Sequence, residues 1–287
     1  MRGGAPDRLS GAVTDAGVDG ASPAPGPALP GRALPGRATA GYDGVRGVLL
    51  DVDDTLVDTR AAFAAGIDAV AAAYLPHLDA GGRARALDVW RADAQGAFRR
   101  YTRGELSQSA QRLLRAQEVH EALAGPAIPE ETFGEWEAVY LAGFESGWRA
   151  HEDALDAVAA LRSTGLAVGA LTNASRAMQT RKLAATGFAD DVPLLVTLDE
   201  LGVGKPDPRV FLEACRLLGT EPGETLYVGD ELDTDALAAQ RAGLRAVWLD
   251  RPGARRGGVH LEDPDVAREA GIAVVHSLGE VQGLLGL

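Results

Sequence analysis

Six short apolar runs recur along the chain, each with the length and β-branched content of a buried strand: "VRGVLLD" (45–51), "LAVGALT" (166–172), "LLVTL" (194–198), "TLYVGD" (225–230), "RAVWLD" (245–250) and "IAVVHS" (272–277). Helical spacing fills most of the intervals between them. Strands that alternate with helices build a parallel sheet covered on both faces, so the expected fold class is α/β with a doubly wound parallel sheet.

One interval is too long for a single crossover. About 120 residues separate Asp51 from Thr172, with helical spacing in "RAAFAAGIDAVAAAYL" (60–75), "ARALDVWRADAQGAFRRY" (84–101) and "SQSAQRLLRAQEVHEALA" (107–124). Pro126 and Pro129 interrupt the pattern before "EETFGEWEAVYLAGFESGW" (130–148) resumes it. This predicts a helical domain inserted after the first strand: a core over 44–58 and 151–287 and a helical segment over 59–150.

The first 43 residues read differently. Of the first 40, 14 are Gly or Pro, above the roughly 25–30% that marks low-complexity sequence, so a disordered tail is expected there. A formal net charge of −13 has the wrong sign for gripping a phosphate backbone, which excludes a nucleic acid polymer as the expected partner. A single cysteine, Cys215, cannot form an internal disulfide, and no apolar run approaches the roughly 18 residues of a membrane span. These features predict a soluble, cytoplasmic protein that does not engage a membrane.

Polar residues close three of the core strands: Asp51 the first, Thr172 and Asn173 the second, Asp230 the fourth. In an open parallel sheet these carboxyl ends share one edge, where ligands bind. Asp51 and Asp53 lie two positions apart, so an extended backbone points both carboxylates the same way. Unpaired, they repel. A divalent cation makes the cluster favourable, and Asp230 supplies a third carboxylate for an oxygen site of the kind Mg²⁺ prefers. Read alone, the same stretch is also a solvated turn with Asp54 and Asp58 as helix caps. "TNAS" could be an N-cap as well as an anion seat, and "GDELDTD" a strand, a capped turn and a helix. The chain has only two lysines, Lys182 and Lys205. Among so many arginines, Lys205 in the loop "GKPDP" suggests a compact point charge, whereas Lys182 falls on the expected surface of a helix.

Taken in order, "DVDDT", "TN", "GKPDP" and "GDELDTD" resemble the four motifs of the haloacid dehalogenase superfamily of phosphohydrolases, over about residues 45–277. The family usually carries Gly where this chain has Asp54, with Asp a common variant. The resemblance implies a Rossmann-like core with an inserted helical cap domain. It implies Asp51 as the nucleophile that forms an aspartyl-phosphate, and Asp53 as the acid that protonates the leaving alcohol and then activates water. Thr172 and the Asn173 N–H would hold phosphoryl oxygens, and Lys205 would neutralise charge on them and on Asp51. Mg²⁺ would sit on Asp51, the Asp53 carbonyl and Asp230, with Asp235 as outer ligand or as the partner that orients Lys205.

An acid at position 53 implies phosphatase or phosphomutase chemistry, since displacing a halide needs no proton. The expected activity is Mg²⁺-dependent hydrolysis of a small phosphate monoester, such as a nucleotide or sugar phosphate, by a monomer or homodimer. A phosphoglucomutase-like transferase and a catalytically idle binding module remain the alternatives. In the cap, "YTRGELSQSAQRLL" (101–114) resembles a segment of nucleotide and sugar phosphatases. Arg100, Arg103 and Arg112 are therefore candidate substrate contacts, or else solvated helix arginines, while Trp90, Trp136 and Trp148 are expected in the cap core.

Overall fold

A computed structural model describes residues 41–257 and 260–287; most of the expected tail lies outside them. All six apolar runs form strands: β1 Gly47–Leu50, β2 Ala167–Leu171, β3 Leu194–Val196, β4 Thr225–Gly229, β5 Arg245–Leu249 and β6 Ala273–Val275. They make one parallel sheet in the order β3-β2-β1-β4-β5-β6. The chain leaves β1 to build one side and returns to build the other. The carboxyl ends of β1 and β4 therefore flank the point where strand order reverses, the ligand crevice of doubly wound sheets.

Alternate residues feed two cores. Val48 and Leu50 join the apolar cluster on one face, with Val158 and Leu161 of a helix at Ala154–Ser163 and with Leu278 and Val281 of another at Leu278–Leu285. Leu49, Tyr227 and Trp248 point to the other face, against Val210, Phe211 and Ala214 of a helix at Pro208–Leu218. Burial on both faces is why these strands read as continuous apolar runs.

Six α-helices stand between β1 and β2, the last at Ala154–Ser163 against the sheet; the first five are α1 Thr59–Tyr74, α2 Ala80–Ala92, α3 Ala97–Thr102, α4 Gln108–Ala122 and α5 Phe133–Ser146. They enclose a third apolar cluster. Trp136, Tyr140 and Phe144 recur every four residues on α5 and stack at 5.6 and 5.8 Å between ring centres, with Trp90 of α2 4.7 Å from Tyr140. α1 and α5 pack so closely that a Cβ on Gly143 would stand 2.7 Å from the Ala65 carbonyl oxygen. The chain leaves and re-enters the sheet domain side by side: Asp58 N–H donates to Arg149 O at 3.0 Å and His151 N–H to Leu56 O at 2.9 Å.

The helix expected over 84–101 is two. It begins earlier, at Ala80, capped by Asp79, and stops at Ala92, where Asp93 turns left-handed with φ 43°. The Asp93 carboxylate then accepts the first N–H groups of α3, from Ala97 and Phe98, both at 2.9 Å. A side chain that caps the next helix has ended the previous one. The run 194–198 likewise stops as a strand at Val196, because Thr197 and Glu200 form a capping box that starts a helix at Leu198–Leu201. Among the described residues, no helix is long and apolar enough to cross a membrane.

Asp153 ties the ends of this domain together, accepting from both terminal nitrogens of Arg251 and from the Leu278 N–H at 2.7 Å. Burial opposes its charge, but these donors outweigh it and hold the carboxyl below its ordinary value. A depressed folded-state value stabilises the fold above the unfolded value near 3.9, and that contribution fades as pH falls through the folded value. Asp153→Asn is therefore expected to lower Tm by a few degrees at pH 7, with the gap from the parent closing as the pH falls below about 4. Melting curves across that range check it.

Candidate active site

The Asp51 side chain emerges where β1 ends, its N–H still paired to Val228 O of β4 at 3.0 Å. The chain then turns at once: Val57 N–H returns to Val52 O at 3.0 Å, and Asp54 adopts a left-handed φ of 57°. That conformation favours glycine and tolerates aspartate. Asp54 Oδ1 accepts from Thr59 N–H at 2.8 Å, and Asp58 caps α1 through Ala61 N–H at 2.9 Å. The helix-cap reading of these two aspartates is what the turn shows.

Lys205 reaches this strand end from the loop before the Pro208–Leu218 helix. Only 3% exposed, its Nζ donates to Asp51 Oδ1 at 2.5 Å, to Asp235 Oδ1 at 2.6 Å and to the Tyr227 hydroxyl at 2.9 Å. Burial opposes its charge, yet Asp235 and Asp51 hold the ammonium well above the usual lysine value. Both oxygens of Asp235 are engaged, because Oδ1 also accepts from Tyr227 and Oδ2 from Glu231 N–H at 3.0 Å. Gly229 permits this packing: a Cβ there would collide with the Asp235 carboxylate.

Thr172 and Asn173 follow β2. The Asn173 amide grips the Lys205 main chain, its Oδ1 accepting from Lys205 N–H at 2.6 Å and its Nδ2 donating to Lys205 O at 2.9 Å. Asp51, Asp230 and Asp235 each bring a carboxylate oxygen within 4.8 Å of the others. Arg256 contacts both Asp230 and Glu231. The cluster carries excess negative charge. Burial, with Asp235 and Asp53 adding to it, pushes the Asp51 carboxyl up to about 8 despite Lys205. Burial likewise raises Asp230 well above the ordinary range, although Arg256 opposes this. Three converging carboxylates, two of them buried, with more negative charge than Lys205 and Arg256 neutralise fit a hard divalent cation.

Asp53 has its own retinue. Lys182 pairs with Oδ1, Thr59 Oγ1 donates to Oδ1 at 2.9 Å and Gln179 Nε2 donates to Oδ2 at 2.6 Å. Gln179 Nε2 also reaches Thr172 Oγ1 at 2.9 Å. Burial opposes the Asp53 charge, but Lys182 and these hydrogen bonds hold the carboxyl below its usual value. Lys182 corrects the sequence reading, because it is 1% exposed rather than on a helix surface. It and Gln179 lie on the inner stripe of a helix at Arg176–Ala185, together with buried Leu183. That spacing of three to four residues was the available signal. Tyr227, Arg256 and Gln179 were also missed.

All seven residues proposed from sequence except Asp53 are at least nine-tenths buried or nearly so, and they line one cavity of about 160 Å³ with helices α1 to α5. Of the three cap arginines, Arg112 lines it and pairs with Glu137 at 2.6 Å. Arg100 and Arg103 do not. They lie on the surface beside Glu105, Arg100 in the last turn of α3 and Arg103 just past its end. Trp90 and Trp136 are buried in the helical cluster, and Trp148 packs at its margin.

Comparison with known proteins follows this geometry. A family model described as haloacid dehalogenase-like hydrolase matches residues 45–243. Phosphoserine phosphatase of Thermus thermophilus is 40% identical over 110 residues, 38% of this chain and 42% of that protein, so the chain spans less than half the length of that relative. Phosphoglycolate phosphatase of Thiobacillus denitrificans is 26% identical over 199 residues, 69% of this chain and 80% of that protein. A magnesium-bound hydrolase structure from Bacillus subtilis superposes with a TM-score of 0.66 at 20% identity, covering 85% of this chain and 99% of that one, and shares its fold.

Proposed function

Because the chain belongs to the haloacid dehalogenase-like hydrolases, we propose that it hydrolyses a small phosphate monoester by way of a phosphoryl group carried on Asp51. The observation that carries this reading is the Asp51 carboxylate bonded to buried Lys205 in a cavity shared with Asp53 and Thr172. Asp51 attacks phosphorus in line as the ester P–O bond breaks, and Asp53, ionised in the free protein and protonated as the anionic ester enters beside it, gives that proton to the leaving oxygen. Asp53 then takes a proton from water, the water oxygen attacks phosphorus, and Asp51 and inorganic phosphate separate.

Lys205, the Thr172 hydroxyl and the Asn173 N–H hold the phosphoryl oxygens, with Asp235 and Tyr227 orienting Lys205 and Asn173 fixing its loop. Lys182, Gln179 and Thr59 position Asp53. Asp51, Asp230 and the Asp53 carbonyl would hold Mg²⁺, which supplies charge neutralisation when bound. Support comes from the unbalanced charge at Asp51 and Asp230, and from the magnesium in the Bacillus subtilis relative. Residues 59–150 serve as a cap that excludes water, hinged where 56–58 run beside 149–151. The relatives' phosphoserine and phosphoglycolate activities favour a small metabolite.

Inorganic phosphate release from a panel of small esters is expected with Mg²⁺ and is expected to fall at least about 100-fold with EDTA. Undiminished release in EDTA would sink the metal assignment. Faster isomerisation of a sugar phosphate than release of phosphate would make the protein a mutase.

A further inference from the structure

The helical side of the cavity carries polar groups that the proposed phosphoryl chemistry leaves unused. Trp90 and Arg91 of α2 and Gln111 and Arg115 of α4 line it, at 1%, 7%, 3% and 7% exposure. Arg91 Nε and Arg115 Nε are buried with no hydrogen-bond partner. Arg115 Nη2 donates to Trp90 O at 2.6 Å and its guanidinium stacks over the Trp90 ring at 4.1 Å. Arg91 Nη2 donates to Ala254 O at 2.8 Å.

Neither guanidinium is hydrogen-bonded to a carboxylate. Asp93 stands 3.9 Å from Arg115 Nε, but its two oxygens already receive the Ala97 and Phe98 N–H groups. The neighbouring Arg112 differs, since Glu137 satisfies it. Burial draws Arg91 below the usual arginine value although Asp54 and Asp230 oppose this, and draws Arg115 below it although Tyr140 and Asp93 do. Buried charges are ordinarily paired, and buried donors are ordinarily bonded. Arg91 and Arg115 both line the space that the rest of a bound ester must fill.

We propose that Arg115, stacked on Trp90, and Arg91 form a second anion seat, so that the substrate is a small phosphate ester carrying a second anionic group, a carboxylate or another phosphate. The inference rests on the phosphatase reading for the first seat. A neutral alcohol would leave both guanidiniums without a hydrogen-bonded carboxylate. The cavity volume of about 160 Å³ is also below the roughly 300–1,000 Å³ of pockets that hold drug-sized ligands, which disfavours a nucleoside.

The test is calorimetric binding of stable phosphonates to the full Mg²⁺-loaded chain: phosphonoacetate and ethane-1,2-bisphosphonate against ethylphosphonate. One dianionic-tailed or carboxylate-tailed ligand is expected to bind at least about tenfold more tightly than ethylphosphonate, the worth of one charge-assisted hydrogen bond. Which of the two wins identifies the second anion. In Arg115→Met the ratio should collapse to within about threefold of unity, with Arg115→Lys restoring part of it. Equal binding of ethylphosphonate by the parent protein would overturn the proposal, and this comparison stands even if the variants fail to fold. Persistence of the ratio in both Arg115→Met and Arg91→Met would also overturn it. Phosphate release from an aryl phosphate, measured in parallel, separates the two claims: release without the preference removes the second seat alone, and the preference without release removes the phosphatase reading alone.

Discussion

Asp51→Asn is expected to release phosphate from every ester at least about 10⁴-fold more slowly than the parent protein, with a Tm within about 4 °C of it. The two halves of that result have one cause. Asp51 sits among like charges in a buried site that pushes its carboxyl up to about 8, so its anionic form is kept at a cost. An amide of the same shape keeps an oxygen for Lys205 and removes one repelling charge, so the fold loses little. The amide is no nucleophile, so turnover is lost. Activity and Tm measured on one preparation check both halves. A large fall in Tm would mean that Asp51 serves the fold, and retained turnover would mean that it is not the attacking group.

Asp53→Asn should separate substrates by their leaving groups. A general acid contributes about 10²–10⁴-fold when the departing alkoxide is strongly basic, and far less when it is an aryl oxide that needs no proton. The variant is expected to lose that factor in kcat on an alkyl phosphate and to lose less than about tenfold on an activated aryl phosphate. Lys182→Met, which removes the cation beside Asp53 Oδ1, should fall in the same direction by a smaller factor. Gln179 and Thr59 still hold Asp53 in that variant. Equal losses on both ester types would show that Lys182 supports packing against Phe144 and Trp148 rather than the acid.

The six strands were legible because burial on both faces leaves a continuous apolar run, a pattern readable without knowing the neighbours. The residues at their carboxyl ends were legible for a related reason: a polar residue that stops such a run stands at the edge where ligands bind. Lys182 was not. Its burial depends on which face of its helix meets Asp53 and the aromatic rings of α5, and the only local trace is its spacing from Gln179 and Leu183. The break at Asp93 was hidden because an aspartate inside a helical pattern looks solvated until its carboxylate is seen to cap the following turn. Arg256 lies in a loop with no periodicity, so only the folded chain brings it to Asp230. Arg100 and Arg103 take the other reading held for them, solvated helix arginines, because resemblance in a segment carries helix position more reliably than side-chain direction.

The central claim is that phosphorus is bonded to Asp51 during turnover. Acid quenching with an alkyl phosphate and Mg²⁺, followed by borohydride reduction, converts an aspartyl-phosphate into homoserine. Sequencing the peptide that spans Val48 to Thr59 then locates it. The account predicts homoserine at position 51 in the parent protein and none in Asp51→Asn. Steady phosphate release with no homoserine, or with homoserine at any other position, would contradict it.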